Sequence, residues 1–330
     1  MLTELFCPGK IFRTSRARID NPHAKEYDGA GNSPGATTSS EFSRENSLSM
    51  PAEIISVANQ KGGVGKTTTS INLAAALARF GVRTLIVDLD PQGNTSSGLG
   101  FEKKSIKLTI YQSLIQELPV EKAINPTKVE NLDIICSNSD LIGAEVELVS
   151  TFARENRLKD VLKTVLDTYK FIIIDCPPSL GLLTINALTA SQKVIIPIQC
   201  EYYALEGLAN FIDTMNKIKR ALNQGLTMEG IVLTMYDARI SLGHQVKAEI
   251  EKHFSGTFFK SAIPRNVRLA EAPSFGQSIF EYDPKSRGAE AYTALAAEIL
   301  RRRGMLSEPP EPPPSPPAPV EERPVVEGHV

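Results

Sequence analysis

The stretch Asn59–Thr69, NQKGGVGKTTT, constrains what this chain can fold into more than any other. Ahead of it, Ile54, Ile55 and Val57 make a short apolar run bounded by Pro51. Behind it, Ile71, Leu73, Ala74, Leu77 and Ala78 recur at helical spacing until Gly81 offers a stop. A strand, a glycine loop and a helix N-terminus in that order form a cradle for phosphate. The loop N–H groups, from Lys61 through Gly62, Gly63, Val64 and Gly65 to Lys66, Thr67 and Thr68, converge on the anion at the positive end of the helix dipole. Lys66 then reaches the β- and γ-phosphates, and the Thr67 hydroxyl sits on Mg²⁺. A glycine loop can also simply turn the chain, but GKT set between a strand and a helix points to the cradle.

From Glu53 onward, apolar runs of strand length alternate with helical periods. Strands are predicted at Glu53–Ala58, Arg83–Asp88, Leu132–Cys136, Phe171–Asp175, Lys193–Ile198, Gly230–Thr234 and Phe258–Ile263. Helices are predicted at Thr67–Phe80, Glu155–Tyr169, Leu182–Ala190, Ala204–Leu222, Leu242–Phe254 and Ala289–Arg303. FIIID and VIIPI are apolar on both faces, as strands covered by helices on two sides must be. The expectation is an α/β fold, a doubly wound and mostly parallel sheet flanked by helices, with ligands at the carboxyl ends of the strands.

Composition narrows the function classes. The net charge is −2, with no global basic field. Residues 1–50 carry no net charge and 307–330 carry −4, which leaves 51–306 at +2, room for a local DNA-binding patch. Four scattered cysteines without CxxC spacing argue against a zinc site and a disulfide framework, and suit a reducing cytoplasm. No apolar run of about 18 residues exists, so no membrane span is indicated. Residues 1–50 lack periodicity and an apolar signal core, and read as a disordered extension. Residues 307–330 are acidic and proline-rich and read as an extended, disordered tail, leaving 51–306 as the folded domain.

Three carboxylates close apolar strands. Asp88 and Asp90 end TLIVDLD and lead into Pro91-Gln92-Gly93-Asn94; Asp175 ends FIIID and leads into Cys176-Pro177-Pro178. There a carboxylate can hold Mg²⁺ or orient an attacking water. It can also do no more than cap the next turn, a reading that suits Asp88 better than Asp90 or Asp175.

The loop departs from the general P-loop: Gln60 stands where a glycine is usual, and a second lysine, Lys61, opens the loop. In this the chain resembles, from about Glu53 to Arg303, the deviant P-loop class of ParA, MinD and the nitrogenase iron protein. The resemblance implies that ATP and Mg²⁺ are bound and that Lys61 reaches across a nucleotide-bound homodimer to the partner's phosphates; otherwise Lys61 is a solvated loop lysine. DLDPQGN is similar to the switch I segment of ParA proteins, which implies a role in hydrolysis and at the metal for Asp90. DCPPSLG is similar to their Walker B and switch II segment, which assigns Asp175 to magnesium and the catalytic water. LTMYDAR (233–239) and IPRNVRLAEAPSFG (263–276) match two further family stretches. They imply Tyr236, Pro264, Arg265 and Asn266 beside the adenine, and Arg239 and Arg268 on a DNA-binding face, where the alternative is two solvated arginines. The family start falls near Met50. Arg301–Arg303 is expected to complement a helix dipole in solvent.

The resemblance implies a ParA/Soj-type partition ATPase, nucleoid-associated in the cytoplasm. It dimerises with ATP, binds double-stranded DNA non-specifically, and is triggered by a ParB-type protein. The alternative is a MinD-like regulator, but that class ends in a basic amphipathic helix and this chain ends in acidic, proline-rich sequence. An iron–sulfur ATPase needs paired cysteines, and Cys176 lies inside the Walker B segment.

Overall fold

The computed structural model describes residues 51–201 and 204–307. The predicted extension 1–50 lies outside the described residues, as does the predicted tail from 308 onward. The elements run β1 (Glu53–Val57), α1 (Lys66–Arg79), β2 (Thr84–Asp88), α2 (Asn94–Gly98), α3 (Ile110–Ile115), β3 (Ile124–Pro126), β4 (Leu132–Ile135), α4 (Leu141–Glu147) and α5 (Arg157–Leu162). They continue as β5 (Phe171–Asp175), α6 (Leu182–Ala190), β6 (Lys193–Gln199), α7 (Ala204–Ala221), β7 (Thr227–Thr234), α8 (Ser241–Phe254), α9 (Val267–Glu271), α10 (Ile279–Tyr282) and α11 (Arg287–Arg302).

The sheet has the order β3-β4-β2-β5-β1-β6-β7, parallel throughout except where β3 pairs antiparallel with β4. Strand β5 explains why helices must cover both faces. Its Ile172 and Ile174 enter one core with α3, α5, α6 and α7, while Phe171 and Ile173 enter a second core with α1 and α11. Successive side chains of a strand point to opposite faces, so an unbroken apolar run buries both. Because β1 lies between β5 and β6, the crossovers depart to either side of it. The crevice at its carboxyl end is therefore a topological switch point, where such sheets place ligands.

Two predicted elements are corrected. Phe258–Ile263 is not a continuous strand: it touches β7 at the Ile231–Phe258 bridge, where the Phe259 N–H donates to the Ile231 carbonyl (3.0 Å), and again where the Ile263 N–H donates to the Leu233 carbonyl (2.8 Å), with the ladder broken between. The Lys260 and Ser261 N–H groups, which would extend a ladder, donate instead to the Glu298 carboxylate on α11. The predicted helix Glu155–Tyr169 is divided into tight turns at Arg154–Asn156 and Lys163–Val165 around a short α5. β-Branched Val161, Thr164 and Val165 crowd its second half. The edge strand β3 carries no readable pattern, being three residues long and ending in Pro126.

The basic end of α11 is also corrected. Arg303 is not solvated: it ion-pairs with Glu53 on β1 and, at 3.0 Å, with Glu229 on β7, and stacks over Phe171. Arg302 lies over Phe259 and donates to the Glu229 carbonyl. These contacts tie α11 to the amino ends of β1 and β7. Arg303→Ala would leave the Glu229 carboxylate, whose side chain is only 5% exposed, with the longer 3.6 Å contact to Arg302 in place of its 3.0 Å pair. We expect a loss of about 3 kcal/mol, or roughly 6–12 °C in Tm, partly restored by adding Glu229→Gln. Differential scanning calorimetry checks this; an unchanged Tm would make the cluster ornamental.

Candidate nucleotide site

The loop after β1 is stapled in place before any ligand is considered. The Asn59 side chain donates to the Pro197 carbonyl (2.8 Å) and accepts from the Lys61 N–H (3.0 Å). From the far side, the Thr234 hydroxyl at the end of β7 donates to the Val64 carbonyl (2.8 Å). Gly65 stands at φ 83°, a left-handed conformation that a side chain would strain, and starts α1. No side chain caps α1 and its first turn holds no acidic residue, so its leading N–H groups open toward the loop.

Lys66, the first residue of α1, is buried, and its ammonium donates to the Lys61 carbonyl at 3.1 Å. Desolvation lowers its pKa, against the opposing pull of Asp175, Cys176 and Asp90. A buried ammonium held by one neutral carbonyl gains strongly from an anion.

The two strand-end carboxylates are register partners, Asp88 beside Asp175, and both are fully buried. Asp175 accepts from three hydroxyls: Thr67 (2.8 Å) and Thr95 (2.7 Å) on Oδ2, and Ser70 (2.9 Å) on Oδ1. Asp88 accepts from the Ser96 N–H (2.8 Å) and hydroxyl (2.7 Å), and from the Asp90 N–H (3.2 Å). Burial drives both pKa values up, Asp175 to about 6 and Asp88 to about 7, with Asp175 adding to the rise at Asp88. Asp90 is buried at the same strand ends, and its Oδ1 accepts from the Gln92 N–H at 2.9 Å, the turn-capping geometry.

Thr67 and Asp175 are thus brought together, with Asp90 close enough to influence Lys66 electrostatically. The oxygen donors of Thr67, Asp175 and Asp90 suit Mg²⁺, which is commonly held by one or two carboxylates, a hydroxyl, waters and substrate phosphates. A dication against these oxygens would also reverse the upward shift of Asp175.

The remaining predicted residues fall into two groups. Tyr236 and Pro264 form a parallel bridge, and the Arg265 N–H donates to the Tyr236 carbonyl (3.2 Å), so the two segments after β7 meet. Asn266 caps α9, accepting from the Arg268 N–H (2.8 Å). Arg239 is exposed and forks onto Asp237 (2.7 and 2.9 Å), holding that carboxyl below its usual range. Arg268 is exposed and pairs with Glu271 (3.0 Å) and Asp283 (3.5 Å). Lys61 is half exposed and ion-pairs with Glu201 after β6.

Sequence reasoning missed Asn59, Ser70, Thr95, Ser96, Thr234 and Glu201. One signal was present: Ser70 follows Thr67 by three residues, which puts both hydroxyls on one helix face. The others depend on pairings between distant strands.

The sequence pattern of the AAA domain family matches residues 52–228. The sporulation initiation inhibitor protein Soj of Bacillus subtilis is 57% identical over 247 residues, covering 75% of this chain and 98% of Soj. The chromosome partitioning protein ParA of Myxococcus xanthus is 53% identical, covering 76% of this chain and 88% of ParA. Among solved structures, the septum site-determining protein MinD of Pyrococcus horikoshii OT3, complexed with Mg-ADP, aligns with TM-score 0.65 at 28% identity. That alignment covers 77% of this chain and 98% of MinD. MinD shares the fold, but the far higher identities lie with Soj and ParA. With its P-loop, its two strand-end carboxylates and these relatives over nearly their full lengths, the chain belongs to the ParA/Soj family of chromosome-partitioning P-loop ATPases.

Proposed function

We propose that this protein binds ATP with Mg²⁺, dimerises around it, and binds double-stranded DNA non-specifically. It then hydrolyses ATP when a ParB-type protein engages it, in the cytoplasm on the nucleoid. The observation that carries this reading is the buried Lys66 ammonium at the open head of α1, beside the Thr67–Asp175 pair.

In this reading the loop amides and Lys66 bind the phosphates, and Tyr236, Pro264, Arg265 and Asn266 flank the adenine. Thr67 and Asp175, with Asp90, hold the metal. Bound Mg²⁺ neutralises charge on the β- and γ-phosphates during phosphoryl transfer. Asp90 and Asp175 orient the attacking water. Lys61 exchanges Glu201 for the partner's phosphates, a change its exposed position makes inexpensive.

Arg239 and Arg268 supply the DNA contacts. Both arginine side chains are exposed, so their pairs with Asp237 and Glu271 are screened by solvent and phosphate can replace the carboxylates. Arg268→Glu is expected to weaken ATP-dependent binding to unrelated duplexes alike, by tenfold or more, and to lower the salt slope, with ATP affinity unchanged. Fluorescence anisotropy across a salt series tests it. Sequence-specific binding, or binding untouched by the reversal, would remove this face.

A further inference from the structure

Consecutive residues Thr95 and Ser96 on α2 divide their hydrogen bonds between the two strand-end carboxylates. Thr95 donates to Asp175, the carboxylate that also holds Thr67 and Ser70 of α1. Ser96 donates twice to Asp88, which accepts in addition from the backbone N–H of Asp90. The Ser96 hydroxyl in turn accepts from the Ser137 N–H (2.9 Å), beyond the end of β4. Thr95, Ser96, Asp88 and Asp175 are all buried, so each bond is shielded from competing water. Gly93, at φ 59°, lets the loop close onto this array: a side chain there would come within 2.8 Å of the Ser137 carbonyl. The loop Asp90–Gly93 is therefore anchored through α2 to the residues that face the phosphate site.

We propose that the Thr95–Ser96 pair, slung between Asp175 and Asp88, is the coupling element that transmits occupancy of the phosphate and metal site to the Asp90 loop. Thr95, Ser96 and Asp88 are positioning residues; they act through Asp175 and Asp90. Whatever redirects the Asp175 oxygens redirects Thr95, and a helix of one and a half turns moves Ser96 with it. The loop has a discrete anchor to shift, as a two-state element needs. The proposal rests on the nucleotide reading of the site.

The chain contains no tryptophan, so Gln92→Trp, at an exposed loop position, gives a single emitter in the full-length protein. In this parent, the slowly hydrolysed analogue ATPγS with Mg²⁺ is expected to shift the emission. Adding Thr95→Val keeps the side-chain shape and removes the hydroxyl. It should leave ATPγS affinity by calorimetry within about threefold while abolishing the emission shift, because the phosphate-binding donors remain and only the link is cut. Thr95→Ser, which keeps the hydroxyl and loses a methyl, should retain both; Ser96→Ala should behave like Thr95→Val. A role in packing alone predicts the reverse order, with serine no better than valine. The proposal is overturned if Thr95→Val retains the full shift, if Thr95→Ser loses it equally, or if the parent binds ATPγS with unchanged emission. A parent that does not bind ATPγS at all overturns the nucleotide reading, and the coupling with it.

Discussion

Lys66→Ala is expected to bind ATP about a thousandfold more weakly than the parent, with the empty protein no less stable. The size follows from what the ammonium does in each state. Without an anion it is buried, held by one carbonyl at 3.1 Å, and its pKa is depressed by desolvation, so it costs the fold more than it returns. With β- and γ-phosphates it becomes a charge-assisted donor in a shielded site. Losing one partner of such a pair costs about 4 kcal/mol, and each 1.4 kcal/mol is tenfold. No described basic side chain replaces it at the head of α1, since Lys61 is engaged with Glu201 and half exposed. Isothermal titration with Mg-ATP, beside a melting curve of the apoprotein, separates the two effects. Unchanged affinity would remove the loop from phosphate binding; lost stability with normal affinity would make Lys66 structural.

The parts legible in the sequence were those written locally. NQKGGVGKTTT states its strand, loop and helix within a few turns of chain. FIIID and TLIVD declare themselves as doubly covered strands, and both end in the carboxylates found side by side. Segments whose fate depends on distant groups were not legible. Phe258–Ile263 has strand composition, but Glu298 on α11 takes the N–H groups a ladder would use. Arg303 looks like a dipole-capping residue until β1 and β7 bring Glu53 and Glu229 beneath it. Thr95 and Ser96 look like turn polar residues until the parallel register sets Asp88 against Asp175.

Asp88 departs most from its local appearance. A strand-end aspartate followed by a proline turn reads as a cap, and capping is part of what it does. It accepts from Ser96 on α2 as well as from Asp90, however, so its cap reaches across a loop rather than within one turn. Asp90 shows the opposite case. Its hydrogen bond to Gln92 is the local cap, and its proposed chemistry lies in the carboxylate oxygen that accepts no hydrogen bond among the described residues.

Asp90→Ala separates assembly from chemistry for that reason. The loop keeps most of its frame in the variant. The backbone N–H at position 90 still donates to Asp88, the Gly93 N–H still donates to the carbonyl at position 90, and Lys103 still holds the Gln92 carbonyl. Every phosphate-binding donor remains, Lys61, Lys66, Thr67 and the loop amides included. ATP should still bind and still bring two subunits together. In the proposed reading the variant loses the carboxylate that orients water against the γ-phosphate, a contribution of about 10²–10⁴ in rate, and one of three groups at the metal, while Thr67 and Asp175 remain to hold it. The variant should therefore accumulate as an ATP-locked, DNA-bound dimer that a ParB-type partner does not release.

Gel filtration of Asp90→Ala in Mg-ATP, with phosphate release measured on the same sample, tests the account most directly. The expected result is a dimer whose phosphate release is at least about a hundredfold slower than the parent's. A monomer in ATP, or a dimer that hydrolyses at the parent's rate, would contradict it.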